Sequence, residues 1–378
     1  MASKPKILHL FSNYRWTGPA EPVLTLINKL KDLGWDIRFG CSVKGIPEDK
    51  YNRVYDTALH WNIPVYRNLF LSKHRNIIKD YLDQKKLNRI IQEDPPQIIH
   101  CHLDNDHRLG VRIKTANQIL FRSNHYGEGL PDKIKTLIPK TDVILEPSLI
   151  AQKQDMEHYN LSPEQCPLIP LSIDLQRFNP NRPLPEVKLE LPENSITLGI
   201  VARIQTHRKY ELLFSALHAL IQEGWKLNLI IVGRGTKQEE VAFRPVRELG
   251  LEEHVIFTGY LNDDNYVAML NTFDIGVYLV PGTDGTCRTV REYMAMGIPI
   301  IATHTGILPE LIQHEKDGII IEDTVESLYH AIRNLCEYPE YRKELGNNAR
   351  EKALRNFSPE YQAKIVSEIY EKCLQKMK

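Results

Sequence analysis

The chain alternates short apolar runs with longer stretches in which apolar residues recur at helical spacing. It opens with the apolar run "KILHLF", a turn-rich segment, and then "VLTLINKLKDLG", where Val23, Leu26, Ile27 and Leu30 share one helical face. Gly34 ends this helix, and "WDIRFGCSV" predicts the next strand. This strand–helix–strand order predicts a doubly wound α/β sheet.

The same alternation continues in two series. In the first series, further strands are predicted at 97–102, 118–124 and 142–148. The second series predicts strands at 196–203, 227–233, 255–260, 274–280 and 299–303, with helices around 210–223 and 238–249 and from about 290. Two series of this kind predict an α/β protein with two Rossmann-like domains in tandem.

Between the two series lies "RFNPNRPLPEVKLELPEN" (177–194), whose prolines are incompatible with a regular helix. We therefore predict an N-terminal domain over 1–180, a proline-rich linker at 181–194 and a C-terminal domain over 195–355. A final helix within 356–378 is expected to pack back on the N-terminal domain. The length of 378 residues agrees with two hydrophobic cores.

Composition narrows the class of protein. The 48 basic and 48 acidic residues cancel, which argues against broad nucleic-acid binding. The six cysteines are scattered, without the paired spacing of a zinc site or a disulfide framework, as is typical of a reducing compartment. The N-terminal apolar run is too short for a signal peptide, and no apolar span approaches the roughly 18 residues of a membrane helix. We expect a cytoplasmic protein.

Basic residues follow the first strand of the second series. Arg203, His207, Arg208 and Lys209 lie where that strand ends and a helix begins. In open α/β sheets, ligands bind at the carboxyl ends of strands, and an arginine fork can hold a diphosphate. The cluster therefore predicts a diphosphate clamp, with a solvated basic loop as the alternative.

Glycines and carboxylates occupy similar positions. Gly18 precedes the first helix, and Gly233 follows a strand, so each permits close backbone approach of an anionic group. The stretch "PGTDGTCRTVREYMAMG" (281–297) places Asp284 in a loop and Glu292 just inside the next helix. A carboxylate at Glu292 can accept two ribose hydroxyl groups, and Asp284 can reach an attached sugar. A turn cap and a helix-supporting glutamate are the structural alternatives.

The second half resembles the nucleotide-binding domain of family 4 glycosyltransferases, which are retaining enzymes of the GT-B fold. The segments "ITLGIVARIQTHRKYELLFSAL", "LNLIIVGRGTKQEE" and "REYMAMGIPIIATHTGILPELIQHEKDGIII" occur in the order of that family. In the first half, "IIHCH" and "IPLSIDLQRFNP" are also similar to family segments. The resemblance implies two Rossmann-like domains facing across a cleft, the first binding the acceptor and the second the nucleotide-sugar donor.

The resemblance also implies a set of site residues and no metal or cofactor other than the donor substrate. Its catalytic group is His102, Arg203, Arg208 and Asp284. Its donor-binding group is Gly18, Arg203, Arg208, Lys209, Gly233, Asp284, Gly285, Thr286 and Glu292. The position of "SNHYGEG" at a strand end adds the acceptor-side candidates His125, Asn124 and Tyr126.

Three positions depart from the family pattern. Asp284 stands where the family has glutamate, Arg208 where it has lysine, and Pro19 where it has a second glycine. Proline has no amide hydrogen to offer a phosphate. These departures make the donor sugar uncertain and motivate one alternative, a non-catalytic homologue that binds nucleotide sugars. A sugar-nucleotide epimerase of the same fold is the other alternative.

The acceptor side is less well defined. Residues 61–90 hold seven Lys and Arg against two Asp, interleaved with apolar residues. One hypothesis is a surface that meets an anionic membrane and a lipid-linked acceptor. The alternative is an ordinary amphipathic helix with a solvated basic face. The assembly of surface polysaccharide, lipopolysaccharide or glycolipid is the expected pathway class.

Overall fold

The computed structural model describes residues 5–47, 50–282 and 285–377. The chain folds into two compact units. One comprises the chain up to Ser172 together with the segment from Pro359 onward, and the other comprises Ile173–Ser358. Each unit has its own sheet and its own core, and each is described separately below.

The sheet of the first unit is parallel throughout. Its strands are β1 (Lys6–Phe11), β2 (Asp36–Cys41), β3 (Val65–Tyr66), β4 (Ile98–Cys101), β5 (Ile119–Ser123) and β6 (Val143–Leu145). They lie in the order β3-β2-β1-β4-β5-β6. The central strands are buried on both faces, as expected of a parallel sheet covered by helices.

Helices cover both faces of this sheet. They are α1 (Ala20–Asp32), α2 (Arg53–His60), α3 (Ile77–Glu93), α4 (Asp104–Ile113), α5 (Leu149–Tyr159) and, from the end of the chain, α13 (Pro359–Lys376). Alternate residues of β1 face opposite ways: Ile7 packs in the core that α1, α2 and α13 cover, and Leu8 packs in the core that α3 and α4 cover. Period-two alternation of a buried strand therefore produces a three-layer sandwich.

The second unit repeats this plan. Its strands are β7 (Ile196–Val201), β8 (Leu227–Val232), β9 (Val255–Gly259), β10 (Ile275–Tyr278), β11 (Ile300–Thr303) and β12 (Ile319–Ile321). Its helices are α6 (Tyr210–Gln222), α7 (Arg244–Glu248), α8 (Asp263–Leu270), α9 (Arg288–Met296), α10 (Leu308–Leu311), α11 (Val325–Glu337) and α12 (Pro339–Asn356). A π-helical turn, Glu239–Phe243, leads into α7.

Both sheets have the same winding. The order β12-β11-β10-β7-β8-β9 places the first and fourth strands of the second unit side by side, as β1 and β4 lie side by side in the first. Winding reverses between these strands, so a crevice opens at their carboxyl ends. The prediction of two Rossmann-like, doubly wound domains is confirmed.

The boundary between the units lies closer to the N-terminus than 180. Ile173 and Phe178 are buried in a core of the second unit, and the amide of Ile173 donates to the carbonyl of Phe357 at 3.0 Å. Because these apolar side chains need a core, residues 173–180 fold with the second unit. Residues 181–194 form neither helix nor strand.

The C-terminal helix α13 belongs to the first unit. The side chain of Tyr370 is fully buried there, and the indole of Trp35 donates to Ser367 Oγ at 2.9 Å. The short strands β3 and β12 have no counterpart in the predicted strands. None of the helices in the described ranges has the length and apolar character to cross a membrane.

Candidate functional site

The crevice of the second unit opens where β7 and β10 separate. Their pairing ends with Gly276 opposite Gly199. Beyond that point, the hydroxyl of Tyr293 on α9 accepts a hydrogen bond from the amide of Val201 at 2.9 Å and lies 3.3 Å from the carbonyl oxygen of Gly199. Tyr293 therefore holds α9 against the end of β7, and the segments 202–209, 279–282 and 285–287 flank the opening.

Arg208 connects the two loops of this crevice. It follows β7, is 7% exposed, and donates from Nη1 to the carbonyl of Val280, which follows β10. Its Cζ lies 5.8 Å from the ring centroid of Tyr278. Its Nε is buried and has no hydrogen-bond partner in the described part of the chain. The predicted clamp residue thus carries a buried positive charge at the switch point of the sheet.

The other two basic residues are placed differently. Arg203 is exposed at the start of the loop after β7. Lys209 has a left-handed backbone (φ 59°) and forms an ion pair with Asp323, which follows β12. Since the Lys209 ammonium is engaged by Asp323, Arg203 and Arg208 are the better placed pair for an anionic ligand.

Glu292 is a buried carboxylate on α9, 5% exposed. Its Oε2 accepts from the hydroxyl of Tyr266 on α8 at 2.5 Å, and its Oε1 accepts from Nε of Arg288 at 2.8 Å. Burial, followed by the charge of Glu292, raises the pKa of Tyr266 well above its ordinary value, so the phenol remains a donor. A carboxylate offers about four acceptor positions, which leaves two for a ligand.

The loop between β10 and α9 contains the remaining predicted donor residues. Asp284 lies outside the described residues. Gly285 has a left-handed backbone (φ 66°), and its amide donates to the carbonyl of Gly282 at 2.8 Å. The carbonyl of Thr286 accepts from Nη1 of Arg291 at 2.7 Å. The N-terminus of α9 therefore follows the carboxyl end of β10, where a helix dipole favours an anion.

Two predicted glycines differ in what the fold requires of them. A Cβ on Gly233, whose φ is +149°, would lie 2.1 Å from the carbonyl oxygen of Ala202. Gly235 is similarly close to Ile204, so these glycines let two loops pack backbone against backbone. A Cβ on Gly18 would meet no atom within 4 Å, and the fold does not require glycine there. The prediction that a ligand approaches Gly18 remains a prediction.

The crevice of the first unit opens between β1 and β4. Oδ2 of Asp106 on α4 accepts from the amide of Ser12 at 2.7 Å, and Oδ1 accepts from the amides of His102 at 2.8 Å and Leu103 at 2.9 Å. Asp106 therefore holds the ends of both strands, whereas Tyr293 in the second unit bonds β7 alone. His102 lies at this junction and is fully buried.

His102 is the centre of a chain of imidazoles. Its Nε2 lies 3.0 Å from Nδ1 of His9 on β1, and its Nδ1 lies 3.4 Å from Nε2 of His125 after β5. A neutral imidazole has one donor and one acceptor nitrogen, so the tautomers along such a chain depend on one another. The two histidines predicted from the sequence, His102 and His125, thus lie together.

Burial keeps these histidines neutral. It lowers the pKa of His9 and of His125 to about 3, and lowers the pKa of His102 well below its ordinary value. The buried guanidinium of Arg122 acts in the same direction on His102 and His125. A neutral imidazole beside the crevice can donate or accept a hydrogen bond without contributing charge.

Ring nitrogens of His9, His100 and His102 lie within 4.8 Å of one another, close enough for a metal ion. His100 already uses both nitrogens, Nε2 with Ser123 Oγ at 2.7 Å and Nδ1 with the hydroxyl of Tyr370. Hydrogen bonding therefore accounts for His100 without an ion. The absence of a metal requirement stays a prediction.

Asn124 and Tyr126 have structural partners. Asn124 is buried, and its Nδ2 donates to the carbonyl of Glu128 at 3.0 Å and to Oε2 of Glu146 at 2.9 Å. Its Oδ1 accepts from the amide of Tyr126 at 2.8 Å, and the Tyr126 side chain packs against a small core. Because both amide hydrogens are engaged, Asn124 fixes the loop that carries His125 and has little capacity to bind an acceptor.

Sequence reasoning missed three site residues. His9 is the one polar residue inside the run "KILHLF" that ends in the crevice, and this position was the available signal. Arg288 precedes Glu292 by one helical turn, a spacing that favours an ion pair. Tyr266 lies 26 positions from Glu292 and gave no signal in the sequence.

The sequence of this chain is similar to those of known glycosyltransferases. Residues 182–352, which include Arg203, Arg208 and Glu292, match the family model described as glycosyl transferases group 1. A curated relative is the N-acetylgalactosamine-N,N'-diacetylbacillosaminyl-diphospho-undecaprenol 4-alpha-N-acetylgalactosaminyltransferase of Campylobacter jejuni, 25% identical over 66% of this chain and 66% of its own length. The alignments span 56 to 66% of the length of the first three curated relatives.

Solved structures extend the likeness to nearly the whole chain. A glycosyltransferase from Rickettsia africae matches with a TM-score of 0.79 at 19% identity, over 98% of this chain and 99% of that one. Anabaena HepE in complex with UDP matches with a TM-score of 0.74 at 16% identity, over 97% and 100%. At such identities the likeness establishes the fold, which is GT-B. The match to the group 1 glycosyl transferases covers residues 182–352.

Proposed function

We propose that this protein is a retaining glycosyltransferase, which moves a sugar from a nucleotide-diphosphate sugar to an acceptor hydroxyl group. The observation that carries the proposal is the position of Arg208 and Glu292 at the switch point of the second sheet. A buried cation there can pair with the phosphates of a nucleoside diphosphate, and a buried carboxylate can accept hydrogen bonds from its ribose hydroxyls. The family-model match over 182–352 and the likeness to HepE, solved in complex with UDP, support the same ligand class.

In this proposal the donor nucleotide is held by the second unit. Glu292 accepts hydrogen bonds from the ribose hydroxyls through the acceptor positions that Tyr266 and Arg288 leave open. Arg203 and Arg208 contact the diphosphate, with the N-terminus of α9 near Gly285 and Thr286 adding its dipole. Lys209 acts indirectly, through its pairing with Asp323.

The same residues serve the chemical step. The bond from the anomeric carbon to the diphosphate oxygen breaks while the acceptor oxygen bonds the anomeric carbon. The negative charge that the leaving diphosphate gains is stabilised by Arg203 and Arg208, and its oxygen takes up the acceptor hydroxyl proton. Asp284 is proposed to contact the donor sugar rather than to act as a nucleophile. His102 and His125, being neutral, orient sugar or acceptor hydroxyls by hydrogen bonding. We propose that the reaction needs neither a metal nor a further cofactor.

The acceptor is proposed to be a glycan or a lipid-linked sugar in surface polysaccharide, lipopolysaccharide or glycolipid assembly. Support comes from the name of the Campylobacter relative, which specifies a diphospho-undecaprenol acceptor. The first unit would bind this acceptor. Gly18, beside which the fold leaves open space, would let the reacting groups approach the backbone.

Titration calorimetry with UDP, GDP and ADP tests the donor site. We expect one nucleotide to bind and Glu292→Gln to weaken binding by about tenfold or more, because a neutral amide accepts fewer hydroxyl hydrogen bonds. Glu326→Gln, on the exposed surface of α11, is the matched control. If none of the three nucleotides binds, or if Glu292→Gln binds as tightly as Glu326→Gln, the proposed donor site is wrong.

Product analysis separates the proposed reaction from its rivals. Incubation with nucleotide sugar and acceptor should release nucleoside diphosphate, and the anomeric coupling constant of the product should match that of the donor. The rate should be unchanged by EDTA. Interconversion of the nucleotide sugar without acceptor would identify an epimerase, and binding without turnover on any acceptor would identify a non-catalytic homologue.

A further inference from the structure

The first turns of α3 present a contiguous apolar surface to solvent. Ile77 is 74% exposed, Ile78 73%, Tyr81 63% and Leu82 44%. Spacings of three positions (78–81) and four positions (77–81 and 78–82) place them side by side on the helix. We call these four residues the α3 patch. Contiguous exposed apolar patches are uncommon in soluble proteins and mark interaction surfaces.

The orientation of α3 is fixed by its acidic residues, which point inward. Asp83 accepts from the amides of Phe70 at 2.9 Å and Leu71 at 2.8 Å. Asp80 accepts from Nδ2 of Asn105 at 3.1 Å. Because both aspartates are buried and bonded, the helix cannot rotate to bury the α3 patch without breaking these bonds.

Along residues 73–90, which include the patch, the exposed charge is positive. From residue 73 to residue 90, each exposed charged side chain is basic, and both acidic side chains are buried. The exposed basic side chains are Lys73, Arg75, Lys85 and Arg89. Arg89 is paired with Glu93, whereas the first three have no ion pair within the described ranges. An apolar centre with a basic rim complements a surface of anionic lipid head groups over an apolar interior.

We propose that the α3 patch docks on an anionic membrane surface, with its apolar side chains in the boundary between head groups and acyl chains. Lys73, Arg75 and Lys85 then contact lipid phosphates. A second copy of this chain is a poorer occupant, because two patches face to face would bring two basic rims together. This surface lies outside the donor site, and the proposal does not rest on the proposed sugar transfer.

Vesicle flotation of the full chain tests the proposal. We expect co-flotation with vesicles of phosphatidylcholine and phosphatidylglycerol, little with phosphatidylcholine alone, and release by high salt, since salt screens the basic rim. Equal binding to both vesicle types, or no binding to either, would overturn the proposal.

Two pairs of variants locate the surface. Ile78→Ser/Tyr81→Ser should weaken binding at least tenfold, while Tyr260→Ser/Leu354→Ser, at exposed apolar positions of the second unit, should bind as wild type.

Lys73→Gln/Lys85→Gln should weaken binding about tenfold or more, at roughly fivefold for each removed cation. Its matched control is Lys226→Gln/Lys316→Gln, at exposed lysines of the second unit.

Three measurements distinguish loss of membrane docking from misfolding, from damage to the donor site and from self-association. Circular dichroism should be unchanged in all four variants, because the substituted side chains are exposed. Nucleotide binding should also be unchanged, so loss of membrane binding and failure of the donor site are distinguishable. Sedimentation without vesicles should show one species across protein concentrations. Self-association that Ile78→Ser/Tyr81→Ser abolishes would instead assign the patch to contacts between copies and overturn the proposal.

Discussion

The phenol of Tyr266 donates to Oε2 of Glu292 across 2.5 Å and so joins α8 to α9. The bond fixes one oxygen of the carboxylate, and Arg288 fixes the other at 2.8 Å. A carboxylate held from both sides keeps its remaining lone pairs in one direction. Tyr266 is therefore a positioning residue for the proposed ribose contact.

Tyr266→Phe removes this bond without changing the packed ring. We expect nucleotide affinity to fall about tenfold, because hydrogen bonds to charged groups contribute about 1.5 to 3 kcal/mol. Calorimetry measures the change, with Tyr260→Phe at an exposed position as the control. Equal affinity of Tyr266→Phe and the control would show that Arg288 alone suffices to orient Glu292.

His9→Phe interrupts the imidazole chain at its buried end. Nε2 of His9 has no hydrogen-bond partner among the described residues, so we expect stability to change by only about 1 kcal/mol. Without Nδ1 of His9, the tautomer of His102 is no longer held, and kcat should fall while nucleotide affinity is retained. Nitrogen NMR of the His102 ring and steady-state kinetics measure the two effects.

A buried histidine outside the chain of imidazoles provides the control for this variant. His107 bonds Thr141 Oγ1 at 2.7 Å, and His107→Phe should leave the His102 resonances in place. If His9→Phe also leaves them in place, the imidazoles do not set one another's tautomers.

Glu146 gives the first unit a pH-dependent stability. Burial, followed by the charge of Asp155 and a hydrogen bond with it, raises the pKa of Glu146 from 4.5 to about 9. A carboxyl whose pKa is raised on folding stabilises the fold fully below its unfolded pKa, and this contribution is lost as pH rises toward the folded pKa. The loss therefore falls between about pH 4.5 and pH 9, at no more than roughly 1.4 kcal/mol per pH unit.

Glu146→Gln mimics the protonated acid, since its amide can donate to Asp155 and its carbonyl can accept hydrogen bonds. We expect the variant to gain stability relative to wild type as pH rises through this window, measured by the melting temperature at each pH. Glu128→Gln, at a nearby exposed position, should follow the wild-type curve. Parallel curves for Glu146→Gln and wild type would mean that Glu146 is ionised in the folded protein.

Gly233→Ala tests the backbone packing at the end of β8. The added methyl group would lie 2.1 Å from the Ala202 carbonyl oxygen at a φ of +149°, so we expect a loss of about 3 kcal/mol in unfolding free energy. Gly224→Ala has a positive φ but open space, and should cost about 1 kcal/mol. Denaturant unfolding measures both, and equal losses would contradict a steric cause.

Most strands and several helices could be predicted from the sequence alone. Apolar periodicity predicted β1, α1 and the strands β7 to β11 of the second unit, because side-chain burial in each element repeats at its own period. The order of strand ends also predicted that Arg208 and Glu292 face one crevice, since the carboxyl ends of parallel strands share an edge. The departures at Pro19 and Arg208 were visible from the resemblance to the family pattern.

The contacts between side chains far apart in the sequence became visible only in the tertiary structure. Tyr266 and Glu292 lie 26 positions apart, and His9 and His102 lie 93 apart, so no local spacing relates them. The exposure of the α3 patch could not be predicted from the sequence either. It depends on the hydrogen bonds that Asp83 accepts from Phe70 and Leu71, and on the one that Asp80 accepts from Asn105. Contacts between distant segments follow from how the elements pack, and a periodic pattern records only which face of an element is buried.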